Sequence, residues 1–163
     1  MGKWASGAVG KQTDPFPHLA HLPTSPLMVK AYIALGSTLG DRETNLAFAR
    51  EELGLLPTSR ILARSPVEET APLGGREQPP YLNQMLLLET GLPPRVLLEA
   101  CRAIEDAAGR VRRERWESRT LDIDIVRYGD LTVNEPDLTF PHPGLKDRDF
   151  WQREIREIEQ SME

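Results

Sequence analysis

Strand-like and helix-like apolar segments follow one another along this chain in an order that only a few folds accommodate. Apolar residues alternate over Val29–Leu35, and a strongly apolar strand is predicted over Tyr81–Glu89. Another strand is predicted over residues 60–69, where Pro66 makes it an edge strand or a bulged one. Leu121–Tyr128 has the pattern of a fourth strand.

Helical spacing places helices between and after these strands. The first has Asp41 as its N-cap and runs to about Leu53, and the second begins at Pro93-Pro94 and ends at Gly109. A short hairpin arm is predicted at Leu131–Val133, and a last helix over Leu145–Gln160. The order β-α-β-β-α-β predicts an α+β, ferredoxin-like sandwich, with two helices packed on one face of an antiparallel sheet and an additional C-terminal helix.

The length of 163 residues suits one domain, which we expect to occupy residues 28–163. Residues 1–27 mix Gly, Pro, Ser and His without a helical or strand period, so we expect a disordered leader there, and Met28 is a candidate for the native start. No signal peptide or run of about 18 apolar residues is visible, which favours a cytoplasmic protein without a membrane partner. The single cysteine, Cys101, falls on the apolar stripe of the second helix and is predicted to fill the core.

The charge distribution indicates the kind of ligand. A net charge of −5 argues against general nucleic-acid binding, which needs a cationic surface. Five arginines nevertheless fall between Arg110 and Arg119, against two glutamates. Such a local cationic patch suits a small anionic ligand, although a solvated run of charges has the same composition.

Asp122 and Asp124 carry the strongest chemical signal. They are two residues apart on a predicted strand, so their carboxylates project from one face, while Leu121, Ile123 and Ile125 take the other. Magnesium accepts one or two carboxylates and keeps other positions for water or phosphate oxygens. The nearby arginine cluster makes phosphoryl transfer an alternative to a simply solvated strand face.

Other patterns restrict the choice of site. The chain has neither a Walker A sequence nor a dinucleotide-binding glycine motif. Tyr81 and Asn83 share one face of their strand and suit a flat heterocycle, although core packing explains the tyrosine equally well. His142 lies in a Pro-Gly-rich turn just past the acidic strand.

Together these segments resemble the 6-hydroxymethyl-7,8-dihydropterin pyrophosphokinase family. The stretch RWESRTLDIDI at residues 115–125 is similar to the family signature, and six others match in the same order. They are AYIALGS at 31–37, TAPLG at 70–74, QPPYLN at 78–83, IE at 104–105, GRVR at 109–112 and PH at 141–142.

The resemblance implies a ferredoxin-like enzyme that uses two Mg²⁺ ions to transfer diphosphate from ATP to the pterin hydroxymethyl group, with release of AMP. It implies that Asp122 and Asp124 bind metal, that Asp124 is the nearest acceptor for the hydroxyl proton, and that Arg110 and Arg119 act in catalysis. The implied pterin contacts are Thr70, Leu73, Tyr81, Asn83, Trp116 and Phe150. The implied ATP contacts are Glu105, Arg112, Ile125, Thr139, His142 and Arg148.

Three alternatives remain open at this point. A ferredoxin-like sheet can bind single-stranded RNA, although two aspartates on its face would repel a phosphate backbone. Another magnesium-dependent phosphoryl or nucleotidyl transferase could carry the same acid pair. A relative without activity, kept for binding, is the third. For the enzyme we expect a monomer whose partners are small molecules.

Overall fold

The chain folds into a five-stranded sheet with helices on both faces. The computed structural model describes residues 27–71, 80–109 and 120–163, together with residue 17. Its elements are β1 (Val29–Ser37), α1 (Arg42–Gly54), β2 (Ser59–Arg64), β3 (Glu68–Thr70), β4 (Tyr81–Thr90), α2 (Pro94–Ala107), β5 (Asp122–Tyr128), β6 (Val133–Glu135), β7 (Leu138–Phe140) and α3 (Asp149–Ser161).

The sheet has the order β2-β4-β1-β5, with β3 pairing beside β2 on the same side of β4. Each of these pairings is antiparallel. With β2 and β3 taken as one interrupted strand, this is the ferredoxin-like order, and the predicted fold class is confirmed. β6 and β7 form a separate two-stranded hairpin.

The two faces of the sheet are covered differently. On one face, which we call the helical face, side chains such as Ile33, Leu86 and Ile123 pack in one cluster with Leu46 of α1 and Leu97 of α2. On the opposite face, which we call the α3 face, a second cluster contains strand residues and three residues of α3; its buried members are Ala34, Met85, Leu87, Val126, Leu145, Trp151, Ile155 and Ile158. The C-terminal helix predicted from Trp151, Ile155 and Ile158 therefore forms and buries the expected stripe.

Local sequence signals explain most element boundaries. Asp41 caps α1 by accepting a hydrogen bond from the Thr44 backbone N–H at 3.1 Å, and proline occupies the first turn of α2. The strand predicted over 60–69 is interrupted, since β2 ends at Arg64 and β3 starts at Glu68, with Pro66 between them. Proline cannot donate to the ladder with β4, which accounts for the interruption.

Two predicted boundaries were wrong. The hairpin arm predicted at Leu131–Val133 lies further along the chain, at β6 and β7. The last helix starts at Asp149, after a separate 3-10 turn over Leu145–Asp147.

Two predictions about burial and membrane spans can be compared with the structure. Cys101 is fully buried in the core, as predicted, and burial raises the pKa of its thiol. Over the described ranges, no helix combines the length and the apolar character needed to cross a bilayer.

Candidate active site

The candidate site lies on the α3 face, beyond the part of the sheet that α3 covers. Gly36 at the end of β1 lies opposite Asn83 of β4 on one side and opposite Asp122 of β5 on the other. Residues directly opposite each other in antiparallel strands project from the same face. The glycine has no side chain, so it separates an amide from a carboxylate in one row across three strands.

Asn83 is fixed in this row by a hydrogen bond. Its Nδ2 donates to the Thr70 Oγ1 at 2.5 Å, and the residue is only 6% exposed. Tyr81 lies opposite Thr70 in the β3–β4 ladder, so both project from the same face as Asn83. A Cβ built on Gly36 would be 3.5 Å from both Asn83 Oδ1 and Tyr81 Cδ1. The three predicted pterin contacts are therefore neighbours around one glycine.

Asp124 occupies the next row of the same face. It lies opposite Ala34, one row nearer to α3 than Asp122, and its side chain is 44% exposed. Its Oδ1 is 3.7 Å from Nε2 of His142. The backbone N–H of His142 donates to the carbonyl of Val126 at 2.8 Å, which fixes the turn against the end of β5. A predicted metal ligand and a predicted ATP contact are thus adjacent.

His142 belongs to a cluster that joins this turn to the start of α3. Its ring meets the Trp151 ring edge-on with centroids 5.0 Å apart, and the Arg148 guanidinium carbon lies 4.4 Å from the Trp151 centroid. A Cβ on Gly144 would collide with Arg148 Nη1, so the guanidinium crosses directly over this glycine. Phe150 packs against Trp151 with centroids 6.2 Å apart.

Glu105 lies beneath the acidic strand, on the helical face. The residue is 5% exposed, and its Oε2 accepts a hydrogen bond from the Ile123 backbone N–H at 3.1 Å. It therefore holds the strand backbone between Asp122 and Asp124. Ile125 has its side chain in the core, so only its backbone remains for a nucleotide contact. Thr139 lies on β7 and donates to the Glu135 carbonyl at 3.1 Å.

A second support of β5 was missed in the sequence. The Thr120 carbonyl, just before the strand, accepts hydrogen bonds from Ser37 Oγ at 2.5 Å and from Asn45 Nδ2 at 3.1 Å. Asn45 also donates to Ser37 Oγ and to the Leu39 carbonyl, which links α1 to the loop after β1. The sequence contained a hint of this contact, since Ser37 ends an apolar strand. In the structure its hydroxyl is fully buried, and a buried hydroxyl needs a hydrogen-bond partner.

Some predicted site residues lie outside the described part of the chain. They are Leu73, Arg110, Arg112, Trp116 and Arg119, and the predicted leader lies outside it as well, apart from residues 17 and 27. The roles of these residues therefore stay predictions.

The acid pair fits a magnesium ion by the chemistry of its donors. Asp122 and Asp124 are hard oxygen donors on one face, two residues apart along β5. Among the described residues, no group of three or more His, Cys, Asp or Glu side chains could enclose a metal. Magnesium commonly takes one or two protein carboxylates and keeps its other positions for water and phosphate oxygens, which suits this pair.

Comparisons with known proteins agree on one family. The sequence model described as 7,8-dihydro-6-hydroxymethylpterin-pyrophosphokinase (HPPK) matches residues 32–160. A 2-amino-4-hydroxy-6-hydroxymethyldihydropteridine pyrophosphokinase of Methylorubrum extorquens is 40% identical over 131 residues, which cover 80% of this chain and 83% of that protein. The protein of the same name from Haemophilus influenzae is 39% identical over 123 residues, covering 76% and 77%. That of Bacillus subtilis is 38% identical over 133 residues, covering 82% and 80%.

Proposed function

The chain belongs to the 7,8-dihydro-6-hydroxymethylpterin-pyrophosphokinase family, and we infer that it transfers diphosphate from ATP to 6-hydroxymethyl-7,8-dihydropterin, releasing AMP, in folate biosynthesis. The three relatives described above, at 38–40% identity, carry the name of this enzyme. ATP is the co-substrate of the reaction, and both substrates are small molecules.

The observation that supports this function is the alignment of Asn83, Gly36 and Asp122 in one row across three strands. It links the proposed reaction to particular residues. A pterin has a flat ring with donors and acceptors along its edge, and its hydroxymethyl group extends from the ring. The ring edge would bind the Asn83 amide and the Thr70 hydroxyl over Gly36. The hydroxymethyl group would then extend across the sheet toward Asp122 and Asp124.

On the pterin side, an aromatic surface completes the proposed pocket. Tyr81 lies beside Asn83, and Phe150 lies at the start of α3, on the same face of the sheet, packed against Trp151. Leu73 and Trp116 would complete the pocket. Flat aromatic rings on either side would stack on the pterin ring. Asn83, which is hydrogen-bonded to Thr70, would supply the polar contact that fixes the orientation of the pterin.

For the acid pair, we propose the role of binding two Mg²⁺ ions together with the triphosphate. Magnesium bound there would neutralise charge on the phosphates during displacement at the β-phosphorus. Asp124 is the nearest carboxylate for accepting the hydroxyl proton, and Nε2 of His142 lies 3.7 Å from its Oδ1. Glu105 acts through the backbone of β5 by holding the Ile123 amide.

The remaining predicted residues would bind ATP, and the arginines among them would also stabilise the negative charge that develops on the phosphates during transfer. Arg148, held over Trp151, is available for a phosphate, and Thr139, the Ile125 backbone and Arg112 complete the proposed ATP contacts. Arg110 and Arg119 would close on the phosphates. Arginine suits this role because its planar fork keeps its charge and binds two phosphate oxygens at once.

The other parts of the proposal concern the whole protein. A cytoplasmic monomer with one enzymatic domain over residues 28–163, with no nucleic-acid or membrane partner, is consistent with the acidic net charge of −5 and the single cysteine. Gel filtration with light scattering would test the monomer, and a gel-shift assay with single-stranded RNA would test the absence of nucleic-acid binding.

AMP release from ATP is the direct test of the reaction. It should be measured with and without 6-hydroxymethyl-7,8-dihydropterin, first in magnesium and then in excess EDTA. We expect AMP that depends on the pterin and disappears with EDTA. ADP in place of AMP would point to another phosphoryl transferase that uses the same acid pair.

A further inference from the structure

A second polar cleft lies on the helical face, on the opposite side of the sheet from the candidate active site. It has a volume of about 400 Å³ and is lined by Arg50 of α1, Arg64 at the end of β2, Gln84 of β4, and Ser65, Pro66 and Val67 of the segment after β2. Arg64 lies opposite Leu86, and Leu86 packs in the cluster beneath α1 and α2. The cleft is thus separated from Asn83 and Asp122 by the sheet itself.

Gln84 holds Arg50 in this cleft. The glutamine is 3% exposed, and its Nε2 donates to the Ser65 carbonyl at 2.7 Å. Its Oε1 accepts from Arg50 Nη1 at 2.8 Å. Both ends of the buried amide are therefore hydrogen-bonded, one to the Ser65 backbone and the other to the Arg50 guanidinium, which is held at the cleft.

The two arginines of the cleft have no counterion among the described residues. On the same two elements, Arg42 of α1 pairs with Glu69 at 2.7 Å and Arg60 of β2 pairs with Glu89 at 3.1 Å. Arg50 and Arg64 line the same cleft, and burial first, then the positive charge of Arg64, lower the pKa of Arg50. An anion between them would relieve the repulsion between these two positive charges.

We propose that the cleft of Arg50, Arg64 and Gln84 binds a small phosphate-class oxyanion. Two guanidinium forks match the charge of a dianionic phosphate better than that of a single carboxylate, and each fork can bind two oxygens. Pro66 and Val67 form the apolar part of the lining. The ligand is either free phosphate or the phosphate of a nucleotide such as the AMP that the reaction releases, and this site is independent of the proposed catalytic residues.

The test follows the backbone amides of Ser65 and Val67 by ¹H–¹⁵N NMR. The full chain, in EDTA and without ATP, is titrated with inorganic phosphate and, in parallel, with chloride at the same ionic strength. We expect a saturable shift of these amides with phosphate and none with chloride. A parallel titration with AMP identifies the source: saturation by both ligands assigns the site to free phosphate, and saturation by AMP alone assigns it to a nucleotide phosphate.

Matched variants decide whether the arginines are responsible. Arg64→Gln removes an exposed guanidinium and should weaken phosphate binding at least tenfold, since it removes half of the cationic charge. Arg60→Gln, on the same strand but paired with Glu89, should leave the affinity unchanged. Arg50→Lys keeps the charge and should retain part of the binding. Shifts that fail to saturate with either ligand, or an equal loss in the Arg60 and Arg64 variants, would overturn the proposal.

Discussion

Nε2 of His142 lies 3.7 Å from Oδ1 of Asp124, while the other ring nitrogen, Nδ1, accepts a hydrogen bond from the Gly144 backbone N–H at 2.9 Å. A neutral imidazole that accepts at Nδ1 carries its proton on Nε2. The proton therefore faces the carboxylate. The turn after β7 thus orients a side chain of β5, and the two residues act as one unit in the proposed site.

Replacing His142 by alanine should weaken catalysis through the metal site. Loss of a partner that orients a metal-binding carboxylate typically costs about 10–100-fold in metal affinity or activity. We expect a fall of this size in kcat/KM for ATP and a higher Mg²⁺ requirement, measured by AMP release at increasing magnesium. His142→Gln keeps an N–H donor at nearly the same reach and should recover part of the loss. An unchanged magnesium dependence in His142→Ala would contradict this role.

Replacing Asp124 by alanine should remove nearly all turnover without unfolding the protein. The side chain is 44% exposed, so its loss removes a proposed metal ligand but little core volume. AMP release measures the first effect, and the thermal midpoint measures the second. Asp130→Ala, in the exposed turn just after β5, is the matched control and should stay active. Near-normal activity of Asp124→Ala would show that the metal assignment is wrong.

Adding a methyl group at Gly36 should impair pterin binding selectively. Its Cβ would stand 3.5 Å from Asn83 Oδ1 and Tyr81 Cδ1, which is an ordinary contact, so the fold should tolerate it. The methyl would nevertheless occupy the floor between Asn83 and Asp122. We expect the KM for the pterin to rise on the order of tenfold, the scale on which one methylene matters in a pocket, with the KM for ATP unchanged.

Gly54→Ala is the control for Gly36→Ala. Its Cβ would be 3.9 Å from the Ile61 side chain, on the helical face and away from the site. Steady-state kinetics with each substrate varied in turn would separate the two effects. An equal rise of both KM values in Gly36→Ala would indicate general distortion of the sheet and would contradict a pterin-binding floor.

The fold was predictable because the apolar pattern alone determines the order of strands and helices. The period of two over β1 and the apolar run of β4 belong to central strands, and the 3.6-residue stripe of α2 identifies the helix that covers them. Boundaries were less predictable where local chemistry competes with pattern. Pro66 divided one predicted strand into two, and the residues before Asp149 formed a turn instead of joining the helix.

The site was predictable as a set of residues but not as an arrangement. Sequence spacing places Asp122 and Asp124 on one face, and it places Tyr81 and Asn83 on one face. That Gly36 lies between these two pairs depends on the register of three strands, which no local pattern determines. The bonds from Ser37 and Asn45 to the Thr120 carbonyl connect residues 83 and 75 positions apart, and such contacts exist only once the sheet has formed.

The carboxyl group of Glu154 introduces a pH dependence that is separate from catalysis. It lies on α3 with 1% of the residue exposed, and its Oε1 has no hydrogen-bond partner among the described residues. Its Oε2 is 3.4 Å from Ser65 Oγ. Burial first, and then the negative charge of Glu68 on β3, raise the pKa of Glu154 to about 8, although Arg153, which pairs with Glu68 at 2.9 Å, opposes the shift.

The sign of the effect follows from proton binding in the two states. An unfolded glutamate titrates near its ordinary pKa of 4.5, whereas folded Glu154 titrates near 8. Between these values the folded protein holds a proton that the unfolded chain releases, so the free energy of unfolding falls as the pH rises through this window. The stabilisation is fully present at pH values below the pKa of the unfolded chain, and it is lost as the pH rises through the pKa of the folded protein. Its size is on the order of a few kcal/mol.

Glu154→Gln should remove this dependence, because the amide keeps the shape of the protonated acid and cannot ionise. We expect the variant and the parent protein to have similar free energies of unfolding at about pH 5, and the variant to be more stable at about pH 9. Urea unfolding at each pH measures both. Glu157→Gln, on the same helix with its side chain 42% exposed, should follow the parent at every pH. If the difference between Glu154→Gln and the parent did not change with pH, Glu154 would be ionised in the folded protein across the whole range, and its burial would have to be compensated by a cation that approaches Oε1.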